Sequence, residues 1–334
     1  MCYSAMVRSD YEKFLREYGA RMSLKNFYDI FYRRLGDKSI LVPRSVEAVF
    51  ELPQSDEERE IKKVIAQYAA DRKKELRADL EMQRERLAKA TEKLRVKFTK
   101  TAAADQRIAA KKISWYEEKI AELHRTHLTA IDCRIFPGSY VPLMVMEDGQ
   151  RVLKMMRYHC RPAHVPATFD KEYPGCYNAR KDSLKGFWRQ QYGHTHGILI
   201  ISRFYEHVPR HLAEQRGALE PGEKPETVVV EFEPDPPQNL AVACIWARWS
   251  APGEPDLYSF AIITDEPPPE ILVVGHDRCV VPIRPDDIDT WLQPEKSTYE
   301  LLDVILDPAA RPFFRHSLLA SDLPSKVGQK GLCR

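Results

Sequence analysis

Apolar residues recur at helical spacing through the first part of the chain. Between residues 10 and 35 they form two short groups separated near Gly19, which predicts two short amphipathic helices. From Ser55 to about Asp132 the sequence has no proline or glycine, and its apolar residues fall near heptad spacing. A break in this register at Thr99–Asp105 predicts a long antiparallel helical hairpin.

The predicted hairpin is long and highly charged. Its first arm reaches about 60 Å at a rise of 1.5 Å per residue, and Ser55 with Glu58 predicts a capping box at its start. Lys, Arg, Glu and Ala dominate its composition, which is typical of a solvated helix face and does not require direct DNA contact. A protein partner of the hairpin is a further expectation.

The period changes to that of β-strands from Phe136 onward. Short segments rich in β-branched and aromatic residues alternate with Pro, Gly and Asp clusters. The predicted strands are Val141–Met146, Val152–Met156, Gly197–Ser202, Val228–Phe232, Val242–Trp246, Ser259–Ile263 and Ile271–Val274. This pattern predicts an α+β fold, with a mainly antiparallel β-barrel or sandwich core, peripheral helices and the helical hairpin.

Composition narrows the class of protein. The chain has 334 residues, 43% of them hydrophobic, and a net charge of +2, which is too weak to indicate nucleic-acid binding by itself. No apolar run approaches the roughly 18 residues of a membrane span, and the N-terminus lacks a signal-peptide pattern. We therefore expect no membrane partner and a cytoplasmic location, in contact with the nucleoid in a bacterium.

The seven cysteines are odd in number and scattered, without a C-x-x-C pair, which argues against a disulfide framework and a zinc ribbon. Two histidine pairs, His194 with His196 and His207 with His211, invite a metal interpretation. No cysteine or acidic group completes a ligand set, and Pro209 disfavours a regular helix through the second pair. We predict neither a metal nor a cofactor.

Cys2 carries the most distinctive chemistry of the sequence. Removal of Met1 makes it the N-terminal residue, with an amine and a thiol on adjacent carbons. Both groups titrate near neutral pH, and together they can close a five-membered ring on an aldehyde. Taken alone, Cys2 is more simply a buried or incidental thiol, so the interpretation depends on partners elsewhere in the chain.

Ordered motifs in the second half supply such partners. They are Tyr177–Arg180 (YNAR), Ile198–Glu206 (ILIISRFYE), Ala243–Trp249 (ACIWARW), Phe260–Asp265 (FAIITD), Gly275–Val281 (GHDRCVV) and Trp291–Pro294 (WLQP). With the Met1-Cys2 start, this series resembles the SOS-response-associated peptidase (SRAP) family. The resemblance covers Met1 to about Arg8 and roughly residues 136–294, and the helical region between them looks like an insertion.

The resemblance implies a protein of the DNA damage response. Such proteins bind single-stranded DNA and capture the aldehyde of an abasic site on the terminal cysteine as a thiazolidine crosslink, with self-processing peptidase and lyase-like activities. Carried over by position, Cys2 is the nucleophile and Asn178 orients it. Glu206 is an acid/base, and His276 is a second proton-transfer group. These types suit the chemistry, because imine formation needs an unprotonated amine and a proton donor for the departing water.

DNA contacts are expected around the same cleft. Six cations are candidates for phosphate binding, and two aromatic residues are candidates for stacking on unpaired bases. They are Arg157, Arg161, Arg180, Lys181, Arg248 and Arg278, with Tyr158 and Tyr177. The chain departs from the family pattern at Tyr3-Ser4, where Gly-Arg is usual, at residues 158–162, and at His207, which replaces a Trp. Ser4 removes an expected phosphate-binding arginine.

These expectations divide the chain into an SRAP-like catalytic domain (1–8 and 136–324), a helical lead-in (9–54), the hairpin insertion (55–135) and a disordered tail (325–334).

Two other classes of function stay open. One is a cysteine-nucleophile peptidase or amidohydrolase that uses Cys2 and His276. The other is a scaffold or nucleic-acid-binding protein that acts through the hairpin. Taken locally, Asn178 equally suits a turn cap, Glu206 a surface carboxylate and His276 a structural ion pair.

Overall fold

The computed structural model describes residues 4–7, 11–307 and 311–319. Cys2 and the predicted tail at 325–334 therefore lie outside the described residues. Within the described ranges, no helix combines the length and apolar character required to cross a bilayer.

Helices and strands alternate in the order expected for an α+β chain. The helices are α1 (Tyr11–Tyr18), α2 (Leu24–Gly36), α3 (Arg44–Glu47), α4 (Asp56–Val96), α5 (Lys100–His124), α6 (Phe169–Glu172), α7 (Arg210–Ala213), α8 (Pro269–Leu272), α9 (Ile288–Leu292) and α10 (Tyr299–Ile305). The strands are β1 (Ser4–Val7), β2 (Arg21–Met22), β3 (Arg134–Ile135), β4 (Tyr140–Glu147), β5 (Gln150–Tyr158), β6 (Asn178–Arg180), β7 (His196–Pro209), β8 (Thr227–Asp235), β9 (Leu240–Trp249), β10 (Leu257–Asp265), β11 (Cys279–Val280) and β12 (Phe313–Leu318).

Five of the strands close into a ring in the order β4, β5, β10, β9, β7 and back to β4. Only the β5 to β10 contact in this ring is parallel. The ring uses the first half of β7, and the second half extends beyond it to pair with β1 on one side and β8 on the other. The expected fold class, with a barrel-like and mainly antiparallel core, is confirmed.

Alternating side chains of the ring strands pack into two hydrophobic cores, one on each face. One face packs under helices and contains Ile198 and Ile200 of β7 with Phe31 of α2 and Trp291 of α9. The opposite face holds the intervening residues, such as Leu199 and Ile201, in the second core. This period of two is the pattern of a pleated strand buried on both faces.

The helical hairpin is formed by α4 and α5. Its start is capped as expected, since the Ser55 hydroxyl accepts from the Glu58 amide at 3.2 Å, although the Glu58 carboxylate binds the amide of Gln54 instead of Ser55. The break between the arms is shorter than the predicted Thr99–Asp105. Thr99 caps α5 by accepting from the Ala102 amide at 3.2 Å, and the alanines that follow favour helix.

The base of the hairpin is fastened to the helices before it. Ile61 of α4 is fully buried in the helix-covered core. Arg44 donates to the backbone carbonyls of Glu122 and Arg125 at 2.8 and 2.6 Å, which ties down the end of α5. Arg34 of α2 lies over the ring of Tyr68, 3.8 Å from its centroid.

One strand prediction is wrong. Ile271–Val274 is not a strand, because α8 occupies Pro269–Leu272 and a turn follows it. Pro269 stands in the first turn of this helix, where its missing amide hydrogen costs nothing, and Gly275 ends the segment with φ of +87°. The apolar residues that suggested a strand are divided by the helix, with Ile271 and Val274 buried and Leu272 and Val273 exposed.

Replacing Gly197 by alanine is expected to destabilise the fold. A Cβ at this position of β7 would lie 2.6 Å from Cδ2 of the buried Leu143 and 3.3 Å from the carbonyl oxygen of Met144. Overpacking of this kind costs about 1–3 kcal/mol. Chemical denaturation should show that loss, while Gly217→Ala, where no atom lies within 4 Å of the new Cβ, should change stability by much less.

Candidate active site and DNA-contact residues

Glu206 is a buried carboxylate on an otherwise apolar face. It lies in the second half of β7, opposite Val230 of β8, and is only 2% exposed. Its neighbours on the same face, Phe204 and Val208, are fully buried. A carboxylate in such surroundings is costly unless a partner compensates its charge.

His276 is that partner. Its Nε2 lies 3.1 Å from Oε2 of Glu206, and its own side chain is 8% exposed. The other ring nitrogen, Nδ1, lies 2.8 Å from the carbonyl oxygen of Arg278. A carbonyl only accepts, so Nδ1 donates in this contact, and Nε2 is the ring nitrogen that faces the carboxylate. An imidazole and a carboxylate in direct contact are groups that proton-transfer sites use.

Backbone geometry before His276 aims its ring at β7. Gly275 has φ of +87°, a conformation that residues with a Cβ rarely adopt. A Cβ there would lie 2.5 Å from Cδ1 of Leu212, so α7 packs directly against this turn. The tight turn fixes the imidazole beside Glu206.

The N-terminal strand runs next to this pair. β1 is antiparallel to β7, with Ser4 opposite Tyr205, the residue before Glu206. Ser4 is fully buried, and its hydroxyl accepts from Nε of Arg134 at 2.8 Å. The guanidinium of Arg134 lies over the ring of Tyr205, 3.9 Å from its centroid. A cation thus lies next to the start of β1.

Asn178 begins β6, which pairs in parallel with β10 so that Asn178 lies beside Ile262. Two positions further along β10, Thr264 pairs with Val280 of β11, the strand that follows His276. Asn178 is 8% exposed. It is therefore held in the same neighbourhood of the sheet as the His276 loop, one strand away from β11.

The cations predicted to bind DNA fall into two groups at opposite ends of β10. Arg180, Lys181 and Arg278 lie near the end that carries Asn178 and β11. Each faces a carboxylate, in Asp182, Asp265 and Glu266 respectively. The second group, formed by Arg157, Arg161 and Arg248, lies near Tyr258 and Ser259 at the start of the strand. At about 3.3 Å per residue, Ser259 and Thr264 are about 17 Å apart.

The second group is tied to acidic side chains. Arg157 and Arg161 both bind Asp170, and Arg248 binds Asp256 at 2.6 Å. Burial by itself would raise the pKa of Asp170, but hydrogen bonds from Arg161 and Arg157 hold it at about 2. Asp170 therefore stays charged and compensates these arginines, which makes their most direct role structural.

The two aromatic candidates differ in exposure. Tyr158 is fully buried, with its ring stacked on Phe260 at a centroid distance of 5.3 Å. Its faces lie within the core, so it offers no surface for a base to stack on. Tyr177 packs edge-on against Tyr158 and is partly exposed, which leaves it as the aromatic candidate with accessible surface.

His196 belongs to the core of the fold. Its Nε2 accepts from the Gly193 amide at 2.9 Å, and its Nδ1 bonds the carbonyl oxygen of Trp291 at 2.9 Å. Burial lowers its pKa to about 3, so the ring is neutral and stacks on the Trp291 indole. Across the described ranges, no group of three or more His, Cys, Asp or Glu residues is arranged to hold a metal ion.

Comparison with known proteins identifies the family. The family model of the SOS response associated peptidase (SRAP) matches residues 83–329 of this chain. The chain belongs to the SRAP family. The matched range contains Asn178, Glu206 and His276, and the association of the SRAP family with the SOS response makes this a DNA-damage-associated protein.

Solved structures similar to this SRAP protein come from two bacteria. A protein from Bordetella bronchiseptica is 16% identical, with 59% of this chain and 90% of that chain covered and a TM-score of 0.44. A protein from Bacteroides thetaiotaomicron is 14% identical, with 62% and 85% covered and a TM-score of 0.45. A phage-related protein from Bordetella bronchiseptica is 20% identical, with 59% and 85% covered and a TM-score of 0.40. A search of curated proteins finds no match.

Sequence reasoning missed two residues of this SRAP protein that the structure makes prominent. Arg134 stands beside Ser4, and Asp170 neutralises two predicted DNA-contact arginines. The signal for Arg134 was its place in the strand where the chain returns from the helical hairpin. Asp170 gave no such signal, because its two partners lie 9 and 13 residues away across a loop.

Acid should weaken the fold through Asp170. Because its pKa falls from 3.8 to about 2 on folding, the carboxylate contributes stability above about pH 4 and loses it as pH drops toward 2. Allowing for solvent screening of this half-buried cluster, we expect about 1–2 kcal/mol. Chemical denaturation between pH 2 and 7 should show this pH-dependent loss in the free energy of unfolding of the wild type and not in that of Asp170→Asn. Asp256→Asn, at the more exposed partner of Arg248, should change the profile less.

Proposed function

We propose that this SRAP protein captures the aldehyde of an abasic site in single-stranded DNA on the amine and thiol of Cys2. The observation that supports the proposal best is the buried Glu206 and His276 pair beside the N-terminal strand. β1 begins at Ser4, two residues after Cys2, and two residues of chain span at most about 7 Å. This short tether supports a reaction of Cys2 beside Tyr205 and Glu206.

The proposed reaction begins when hydrolysis of the peptide bond after Met1 frees the amine of Cys2. The amine adds to the aldehyde carbon, and the resulting hydroxyl leaves as water after receiving a proton. Glu206 and His276, which lie in contact, are proposed to share one transferable proton and to supply it in this step. The Cys2 sulfur then adds to the imine carbon while the nitrogen takes the thiol proton. Aldehyde and aminothiol thereby give a thiazolidine and one water.

Asn178 is proposed to orient the reacting cysteine. Arg134 is proposed to attract a DNA phosphate, in place of the arginine that the family pattern has at the position of Ser4. Arg180, Lys181 and Arg278 are proposed to guide the strand toward the same end of β10, with Tyr177 available for stacking on an unpaired base. In this proposal the catalytic domain comprises residues 1–8 and 136–324, interrupted by the hairpin at 55–135.

Burial of four other thiols favours Cys2 over them as the reacting sulfur. Burial raises the pKa of Cys176 and of Cys279 to about 12, and it also raises those of Cys160 and Cys244. Such thiols carry almost no thiolate at neutral pH. Cys133 is partly exposed and lacks an adjacent amine, so it provides a matched internal control.

Cys2→Ser should separate the two halves of the chemistry. The variant keeps an N-terminal amine, so it should form an imine with abasic single-stranded DNA that borohydride traps, but no stable thiazolidine. The wild type and Cys133→Ser should both give a stable adduct one water lighter than the sum of the reactants. Intact-mass spectrometry measures all three. A stable adduct on Cys2→Ala would contradict the mechanism, and peptide turnover without an adduct would support a hydrolase instead.

Glu206→Gln should slow adduct formation by about 10²–10⁴-fold, because a primary amide of the same shape does not transfer the shared proton. Single-turnover rates on abasic DNA measure this effect. Glu231→Gln is a suitable control, since Glu231 lies on the neighbouring strand and binds Arg203 rather than His276. An unchanged rate in Glu206→Gln with a normal fold would remove Glu206 from the mechanism.

A further inference from the structure

Charge is distributed unevenly along the hairpin. The outer part, residues 86–112, contains nine Lys and Arg residues and only two acidic residues. The inner part, residues 56–85 and 113–124, contains nine Lys and Arg residues against twelve acidic ones. The balanced composition of the whole hairpin therefore hides a basic outer end, which we call the basic tip.

Most cations of the basic tip are available to a ligand. Arg86, Lys89 and Arg95 have acidic neighbours in Asp105, Glu85 and Glu92. Six others are exposed and make no ion pair within the described ranges: Lys93, Lys97, Lys100, Arg107, Lys111 and Lys112. Cations of this density repel one another, so their free energy falls when a polyanion supplies the missing charge.

The cations of α5 form a row. Lys100, Arg107 and Lys111 are seven and four residues apart, which places them on one face of the helix. Ala102 and Ala109, which are buried against α4, mark the opposite face. At 1.5 Å per residue the row spans about 17 Å. A straight row of this length can contact several phosphates along a duplex.

The tip offers few groups that would suit other ligands. Proteins that bind single strands add aromatic platforms to their cations, and Phe98, 71% exposed, is the one aromatic side chain between residues 86 and 112. The exposed large apolar side chains of the basic tip are Val96, Phe98 and Ile108, too few for a hydrophobic protein interface. Duplex backbone binding requires cations alone.

The hairpin also connects to the proposed active site. After α5 the chain passes through residues 130–133 into β3, which pairs with β1. α4 is 41 residues long, so the arm extends about 60 Å, the length of about 18 base pairs at 3.4 Å each. An arm that begins beside β1 is long enough to reach duplex that flanks a single-stranded segment at the site.

We propose that the basic tip binds the phosphate backbone of duplex DNA that flanks the single-stranded substrate. The inference rests on the DNA-binding part of the proposed function and not on its covalent step. It assigns the hairpin the role of an electrostatic arm that selects junctions between single-stranded and double-stranded DNA.

The test compares two variants of the full chain that each lose five positive charges. The tip variant carries Gln in place of Lys93, Lys97, Lys100, Arg107 and Lys111. The base variant carries Gln in place of Lys62, Lys63, Lys73, Lys74 and Arg77. Two probes share an abasic single strand of about 12 nucleotides, and one of them adds about 20 base pairs of duplex on either side. Circular dichroism verifies that both variants keep their helix content.

The tip variant should bind the duplex-flanked probe at least about tenfold more weakly than the wild type, with a shallower dependence of affinity on salt. Its affinity and adduct yield on the bare single strand should stay unchanged, and the base variant should resemble the wild type on both probes. Equal weakening on both probes would assign the tip to single strands and overturn the inference. Equal binding of the duplex-flanked probe by the tip and base variants would also overturn the inference. Poly-glutamate serves as a third probe: if the tip variant loses binding to it and keeps its affinity for the duplex-flanked probe, the ligand is an acidic protein and the inference is wrong.

An absence of adduct in the wild type would contradict the proposed chemistry alone. The preference of the wild type for the duplex-flanked probe is measured by equilibrium binding to the same two probes without the abasic aldehyde, so this measurement does not depend on Cys2. A failure of the basic tip to bind duplex DNA and a failure of Cys2 to form the crosslink are therefore distinguishable, because the first is measured by binding and the second by adduct yield.

Discussion

The buried contact between Glu206 and His276 is the interaction on which the candidate site depends. A carboxylate on an apolar strand face costs several kcal/mol in free energy unless a charged or hydrogen-bonding partner compensates it. Here the compensation comes from a loop far along the chain, which requires the turn at Gly275 and the packing of α7 to hold the imidazole in place. The fold therefore maintains a costly polar pair within a hydrophobic core, which is the condition expected of a functional group.

The same strand organises the rest of the site. The first half of β7 belongs to the closed ring of strands, and the second half leaves it to receive β1 and β8 on its two edges. Glu206 lies in the part that extends beyond the ring, next to the start of the chain. Ring closure supplies rigidity, and the extension brings the N-terminal strand to the buried pair. This division is consistent with a site that is built on a rigid scaffold and approached by a terminal segment.

Local pattern was sufficient to predict the class of fold and the six longest of its twelve described strands, because burial on a strand repeats every two residues. It failed at Ile271–Val274, where β-branched residues suggested a strand and the preceding prolines started a helix. The motifs singled out Glu206 and His276, which lie in contact in the structure. The ion pairs that compensate charge could not be predicted, since Asp170 and its arginines meet only in three dimensions. The burial of Tyr158 could not be predicted either, because the neighbours that cover it are distant in sequence. Charge summed over the whole hairpin likewise concealed its basic end.

The strand pairing explains how the fold accommodates the long helical segment. The chain leaves β1 after Val7 and returns in β3, where Ile135 pairs with Ala5 and Arg134 pairs with Met6. The ends of the helical segment are thus neighbours in one antiparallel ladder, so its length changes the free energy of folding by little beyond the modest entropy of closing a longer loop. Arg134, at the point of return, donates to Ser4. The strand that follows the hairpin consequently contributes a cation to the N-terminal strand, and a displacement of β3 would act directly on β1.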